Sequence, residues 1–186
     1  MSKIDDLAAV FREHVAVGWP SGSSGAQRVI MVVYDPADER ALRKQIPLFE
    51  QAANAHNYRW RTVDITALFG AWLAAHRYRE DYFEEPDMLR SGADGRFSLH
   101  VAAELEAVLN RPEHDAHELV ALVGGASLFG VTSLAEVLGR VETLIRGRLV
   151  VFFPGRYRDG RYRLLDARES WDYHAVAISA ENAGVR

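Results

Sequence analysis

The sequence predicts a single α/β domain: a mainly parallel sheet with helices on both faces and antiparallel edge strands near the C-terminus. Val29–Tyr34, Leu119–Val123 and Leu149–Phe153 are unbroken apolar runs rich in β-branched residues, the mark of strands covered on both sides. Helical patterns alternate with these runs, as the crossovers between parallel strands require. The length of 186 residues, with 48% hydrophobic and 26% charged residues, suits one domain, 1–186, with its own core.

The elements follow in chain order. Ile4, Leu7, Ala8, Phe11 and Val15 recur at helical spacing, so residues 1–17 form an N-terminal helix that stops at Gly18-Trp19-Pro20. Residues 18–27 form a flexible Gly/Ser connection. After the first strand, Asp35-Pro36 reads as an N-cap with proline at the first helical position. The helix it opens meets Pro47, which is expected to kink or split it. Tyr58 to Val63 is a second strand, Thr66 opens a helix carrying Leu68, Phe69, Trp72 and Leu73, and Phe97 to Leu109 is an amphipathic helix. Ser133-Leu134-Ala135-Glu136 matches a capping box ahead of a helix reaching Ile145. Tyr162–Leu165 and His174–Ile178, separated only by loops, are expected as the antiparallel edge strands.

Composition excludes several functions. The absence of cysteine removes disulfides, thiolate metal sites and cysteine nucleophiles, and suits a reducing compartment. Asp5 and Asp6 stand where a signal peptide would be basic and then apolar, and no apolar run is long enough to span a bilayer. A cytoplasmic location with no membrane contact is expected. The net charge is −4, yet Arg146 to Arg168 holds seven arginines against two aspartates, a local balance of +5.

That basic island contains RYRDGRYR, Arg156 to Arg163, a near palindrome about Asp159-Gly160, a strong short hairpin signal. Such a turn pairs Arg158 with Arg161, Tyr157 with Tyr162 and Arg156 with Arg163. Strand alternation then gathers the tyrosines on one face and four arginines on the other. Like charges facing each other in a ribbon call for anions, supplied by the rest of the chain, by an acidic partner surface or by a phosphate backbone. One short strip on an acidic domain is a poor footprint for duplex DNA, so direct DNA binding is not expected. HRYREDYFEEP, with Tyr78, Tyr82 and Phe83 spaced for one helical stripe, reads as a solvated helix completing the core or as a second contact surface.

Gly125 to Thr132 follows a strand and fits the G-x-x-x-x-G-x-[ST] pattern of a phosphate-cradling loop, with Gly125, Gly130 and Thr132 in place and Val131 standing where that loop has its lysine. A tight turn filled by Leu128 and Phe129 is the main reading, and a degenerate nucleotide-binding module is the alternative. His114 and His117, among Glu113, Asp115 and Glu118, have i, i+3 spacing but fall in a loop after Pro112, with no further ligands nominated. No catalytic residue, metal or cofactor is assigned.

Taken in order, Gly25-Ala26-Gln27-Arg28-Val29-Ile30, HRYREDYF, Ser127-Leu128-Phe129-Gly130, LVVFFPG, YRLLDA and WDYHAVAI resemble the BrxB family of BREX bacteriophage-exclusion systems, over nearly the whole chain. The resemblance implies a cytoplasmic defence subunit without established catalytic residues, an adaptor working beside other BREX components. Among these, a PglZ-like protein is the expected direct partner.

Overall fold

A computed structural model describes residues 2–20, 22–89, 94–165 and 171–179. Side chains of residues 94 and 95 are outside that description, as is Arg168 at the end of the basic stretch. Helix α1 (Lys3–Val17) is capped by Ser2 through a reciprocal box with Asp5. Strand β1 (Val29–Tyr34) is buried at every position. A 3₁₀ turn, Pro36–Asp38, capped by the Asp35 carboxylate, leads into α2 (Glu39–Ala55). β2 (Arg59–Asp64), α3 (Leu68–Ala75), α4 (Arg79–Glu84) and α5 (Asp94–Leu109) follow. Next come β3 (Glu118–Val123), α6 (Leu134–Val141), β4 (Arg148–Arg158), β5 (Arg161–Leu164), β6 (Trp171–Asp172) and β7 (Val176–Ser179).

The sheet order is β2-β3-β4-β1-β7, all parallel, with β5 and β6 attached to the far end of β4. The three apolar runs thus occupy the centre, as expected. Their alternating side chains feed two cores. Ile30, Val32, Ala121, Val150 and Phe152 pack under α1 and α2, while Met31, Val33, Val120, Leu122, Val151 and Phe153 pack under α3, α5 and α6. No helix among the described residues is long and apolar enough to cross a membrane.

Four expectations are corrected. α2 runs unbroken through Pro47, which lies on its exposed side, so the carbonyl one turn back that loses its N–H partner can be hydrated. The capping box at Ser133 does not form: Glu136 instead accepts hydrogen bonds from Ser98 Oγ at 2.7 Å and from Arg140. α6 ends at Val141, and a 3₁₀ turn carries the chain on to Leu144. β7 is parallel to β1, not antiparallel; of the two expected edge strands only β5 is antiparallel, pairing with β4 and with β6, a strand that was not expected.

The far end of β4 leaves the plane of the sheet. Pairing with β1 ends at Pro154, and a straight continuation would carry Asp159 away from the start of β1 at ~3.3 Å per residue. Asp159 and Gly160 instead line a pocket with Gln27, which precedes β1. The strand therefore bends back beyond Pro154 and lays its hairpin over the sheet, where Tyr162 and Leu164 join the core of Met31, Val33 and Phe153. Gly155 permits this: a Cβ there would sit 2.1 Å from the Arg163 carbonyl oxygen and 2.8 Å from the Phe153 ring.

Candidate functional site

The hairpin forms with the register the palindrome implies: Arg158 opposite Arg161, Tyr157 opposite Tyr162 and Arg156 opposite Arg163. Asp159 and Gly160 at its tip both take left-handed backbone (φ 51° and 78°), the requirement of a two-residue type I′ turn. Its two faces differ sharply. Tyr162 is fully buried, 4.6 Å between centroids from Tyr157, 5.4 Å from Trp171 and 5.7 Å from Phe153. Burial pushes the Tyr162 phenol well above its ordinary pKa, with the neighbouring Tyr157 adding to the shift. On the opposite face Arg156, Arg158, Arg161 and Arg163 are all exposed. Arg161 pairs with Asp172 at 2.9 Å; among the described residues the other three guanidinium groups have neither an ion pair nor a hydrogen-bond acceptor.

Arg156 and Arg158 also line a cleft of about 610 Å³ with Lys3, Tyr34, Asp35 and Asp38. The cleft opens at the carboxyl ends of β1, β4 and β7. Its walls are the start of α1 at Lys3 and Leu7, the turn that follows β1 at Asp35 to Asp38, and the stretch Gly155 to Arg158 of β4. A closed polar network borders it. Arg43 donates to Glu39 at 2.6 Å, to Asp64 at 3.1 Å and to Thr66 at 2.7 Å, and the Tyr34 hydroxyl donates to Glu39. Burial and the Glu39 carboxylate push the Tyr34 phenol far above its ordinary range. Partial burial alone would raise Asp64, but hydrogen bonds from Thr66 and Arg43 outweigh it and hold the carboxyl low. Arg43 bridges the two acids of this network, Glu39 and Asp64, and the cleft itself is lined by charges of both signs, Lys3, Arg156 and Arg158 against Asp35 and Asp38.

Gly125, Gly130 and Thr132 do not form an open phosphate cradle. The chain winds through Gly124 (φ 91°) into a 3₁₀ turn, Gly125–Leu128. The amides of Ser127, Phe129, Val131 and Thr132 donate to carbonyls of Gly124, Ala126 and Leu128 inside the loop, so these four N–H groups point at the loop's own backbone and not at a phosphate. Leu128 is buried in the core.

Tyr78, Tyr82 and Phe83 do not share one stripe. Tyr82 is 4% exposed and packs against Trp72 and His76, whereas Tyr78 and Phe83 face outward at 40% and 65%. Helix α4 begins only at Arg79, so Tyr78 precedes the helical spacing that would have aligned it.

His114 is fully buried, which loop polarity did not suggest, while His117 is exposed. His114 Nδ1–H donates to Glu118 at 2.7 Å and its Nε2 accepts the Arg146 amide at 3.1 Å, an arrangement that needs the neutral ring. Glu118 also receives both oxygens' bonds from Arg111 Nη2, at 2.9 and 3.0 Å. Among the described residues no three His, Asp or Glu side chains converge as a metal site.

Compared with protein-family models, with curated proteins and with solved structures, the chain matches none.

Proposed function

We propose that the chain is a non-catalytic adaptor of a BREX-type anti-phage defence system, and that its arginine face holds an acidic surface on a PglZ-like partner. The observation that carries this reading is the outward face of the β4–β5 hairpin, where three of four arginines have no acidic partner within the described residues. Arginine's planar, multiply donating head group suits carboxylate recognition, and opposed like charges give the free protein a reason to accept anions. The ordered BrxB-like motifs supply the expected system and partner, with other BREX components as further candidates.

The test is co-purification from cells carrying a complete defence operon. Reversal of Arg158 and Arg161 to glutamate is expected to abolish recovery of the PglZ-like protein with melting within a degree or two of wild type, since exposed substitutions shift stability by about 0.5 kcal/mol or less. Unchanged recovery with unchanged melting would move the contact to another surface, with exposed Tyr78 and Phe83 next to be substituted. Retained partner but lost, steeply salt-dependent duplex binding would favour a nucleic-acid-contacting module.

A further inference from the structure

Arg148 opens β4 at the amino edge of the sheet and is 4% exposed. A guanidinium so deep is ordinarily paired with a carboxylate, because its charge is costly to bury. Here Nη1 donates to the Gly147 carbonyl at 2.9 Å and the group lies 4.4 Å over the Trp19 ring, which itself stacks on Tyr58. Nε and Nη2 have no acceptor among the described residues.

The surroundings add positive charge. Arg28 is close enough to act on Arg148, yet spends its own donors on the carbonyls of Ser23 and Ile145. Burial first, then Arg28, push the Arg148 pKa down to about 10, which leaves it charged at neutral pH. His14, on α1, is held below its ordinary pKa by burial and by Arg148. The nearby acids are committed. Glu118 sits on the other face of the sheet with Arg111 and His114, and Glu142 accepts from Tyr173.

Arg148 lines a pocket of about 390 Å³ with His14, Trp19, Ser23 and Gln27, and among the described residues no carboxylate lines it. That is room for roughly a dozen waters at ~30 Å³ each. We infer that this pocket is a binding site for a small oxyanion, a phosphate or carboxylate group, taken up in the two-pronged manner open to a planar guanidinium. The ion can be free or the terminal group of a small organic molecule. This site is distinct from the arginine hairpin and stands whether or not the adaptor reading does.

The experiment uses the full chain in ionic-strength-matched chloride, titrated with inorganic phosphate, acetate and glycerol 3-phosphate. Indole N–H resonances and the melting temperature are followed. Phosphate or acetate is expected to shift the Trp19 resonance more than those of Trp60, Trp72 and Trp171. Near hundredfold saturation it raises melting by roughly 5–10 °C. Tenfold tighter glycerol 3-phosphate would assign an organic ligand, and equal affinity the free ion.

Arg148→Met, which keeps the length of the side chain without its charge, is expected to lose the shift while melting in chloride no lower than wild type, since an apolar substitute for a buried charge is often neutral or stabilising. Should it misfold, Arg148→Lys, which keeps charge but not the fork, is expected to weaken phosphate at least tenfold. A wild-type Trp19 resonance indifferent to all three probes would overturn the inference. So would a shift that survives in Arg148→Met.

Discussion

At the scale of single residues, Glu118 and Arg148 lie at the same end of the sheet on opposite faces and show opposite solutions to burying charge. Glu118 is surrounded by donors; Arg148 has almost no acceptors. Burial alone would raise the Glu118 pKa, but hydrogen bonds from Arg111 and His114 lower it below its ordinary 4.5. Its contribution to stability is therefore complete above about 4.5 and is lost as pH falls through the lower, folded value. Glu118→Gln is expected to cost roughly 3 kcal/mol at neutral pH, because it leaves Arg111 without its counter-charge. In denaturant melts the gap from wild type stays level at neutral and mildly acid pH and closes only as pH falls through the lowered, folded value. A gap independent of pH throughout would mean that shape, and not charge, holds the site. Neither residue was legible in the sequence. A glutamate and an arginine at the open ends of apolar strands read as solvated edges, and only the packing of α1 and the 110–117 loop over those ends buries them.

At the scale of elements, what could be read depended on how many residues carried the signal. The three central strands each spread theirs over five or six apolar positions, and all three are where they were expected. The hairpin was legible to its register because six residues are arranged symmetrically about Asp159-Gly160, a dipeptide suited to a two-residue type I′ turn. β7 offered four residues, Val176–Ser179, enough to say strand but not its direction. Four residues of capping pattern at Ser133 lost to a tertiary bond from Ser98. In the candidate site, the arginine face was legible and the cleft beside it was not, since it depends on the backward bend after Pro154.

The hairpin's two faces give separable predictions. Tyr162→Ala removes a fully buried ring that joins Phe153, Tyr157 and Trp171, and is expected to cost about 3–5 kcal/mol with loss of near-ultraviolet circular dichroism. The double arginine reversal leaves that spectrum intact. Similar spectra for both variants would mean that the hairpin is not packed on the sheet.

For the whole molecule, β4 is the keystone: it joins β3 on one side to β1 on the other and carries the hairpin that covers part of one face. A chain stopped at residue 147 keeps every helix yet has no strand to link its two halves. It is expected to show residual helicity without cooperative melting and without protected amides in β1. Protection of the β1 amides in that fragment would show that β1 has a partner other than β4.

The same pairing has a consequence in time. Val29 must find Leu149, some 120 residues further along, and β1 meets its other neighbour later still. During synthesis at roughly 5–20 residues per second, β1 emerges as an apolar segment and waits many seconds for its first partner. Because β1 pairs only with strands far along the chain, refolding is expected on the slower side for a domain of this size. Through that wait VIMVVY is an uncovered, aggregation-prone stretch, and the protein's yield in cells is expected to respond more to shielding of the nascent chain than to added stability of the finished sheet.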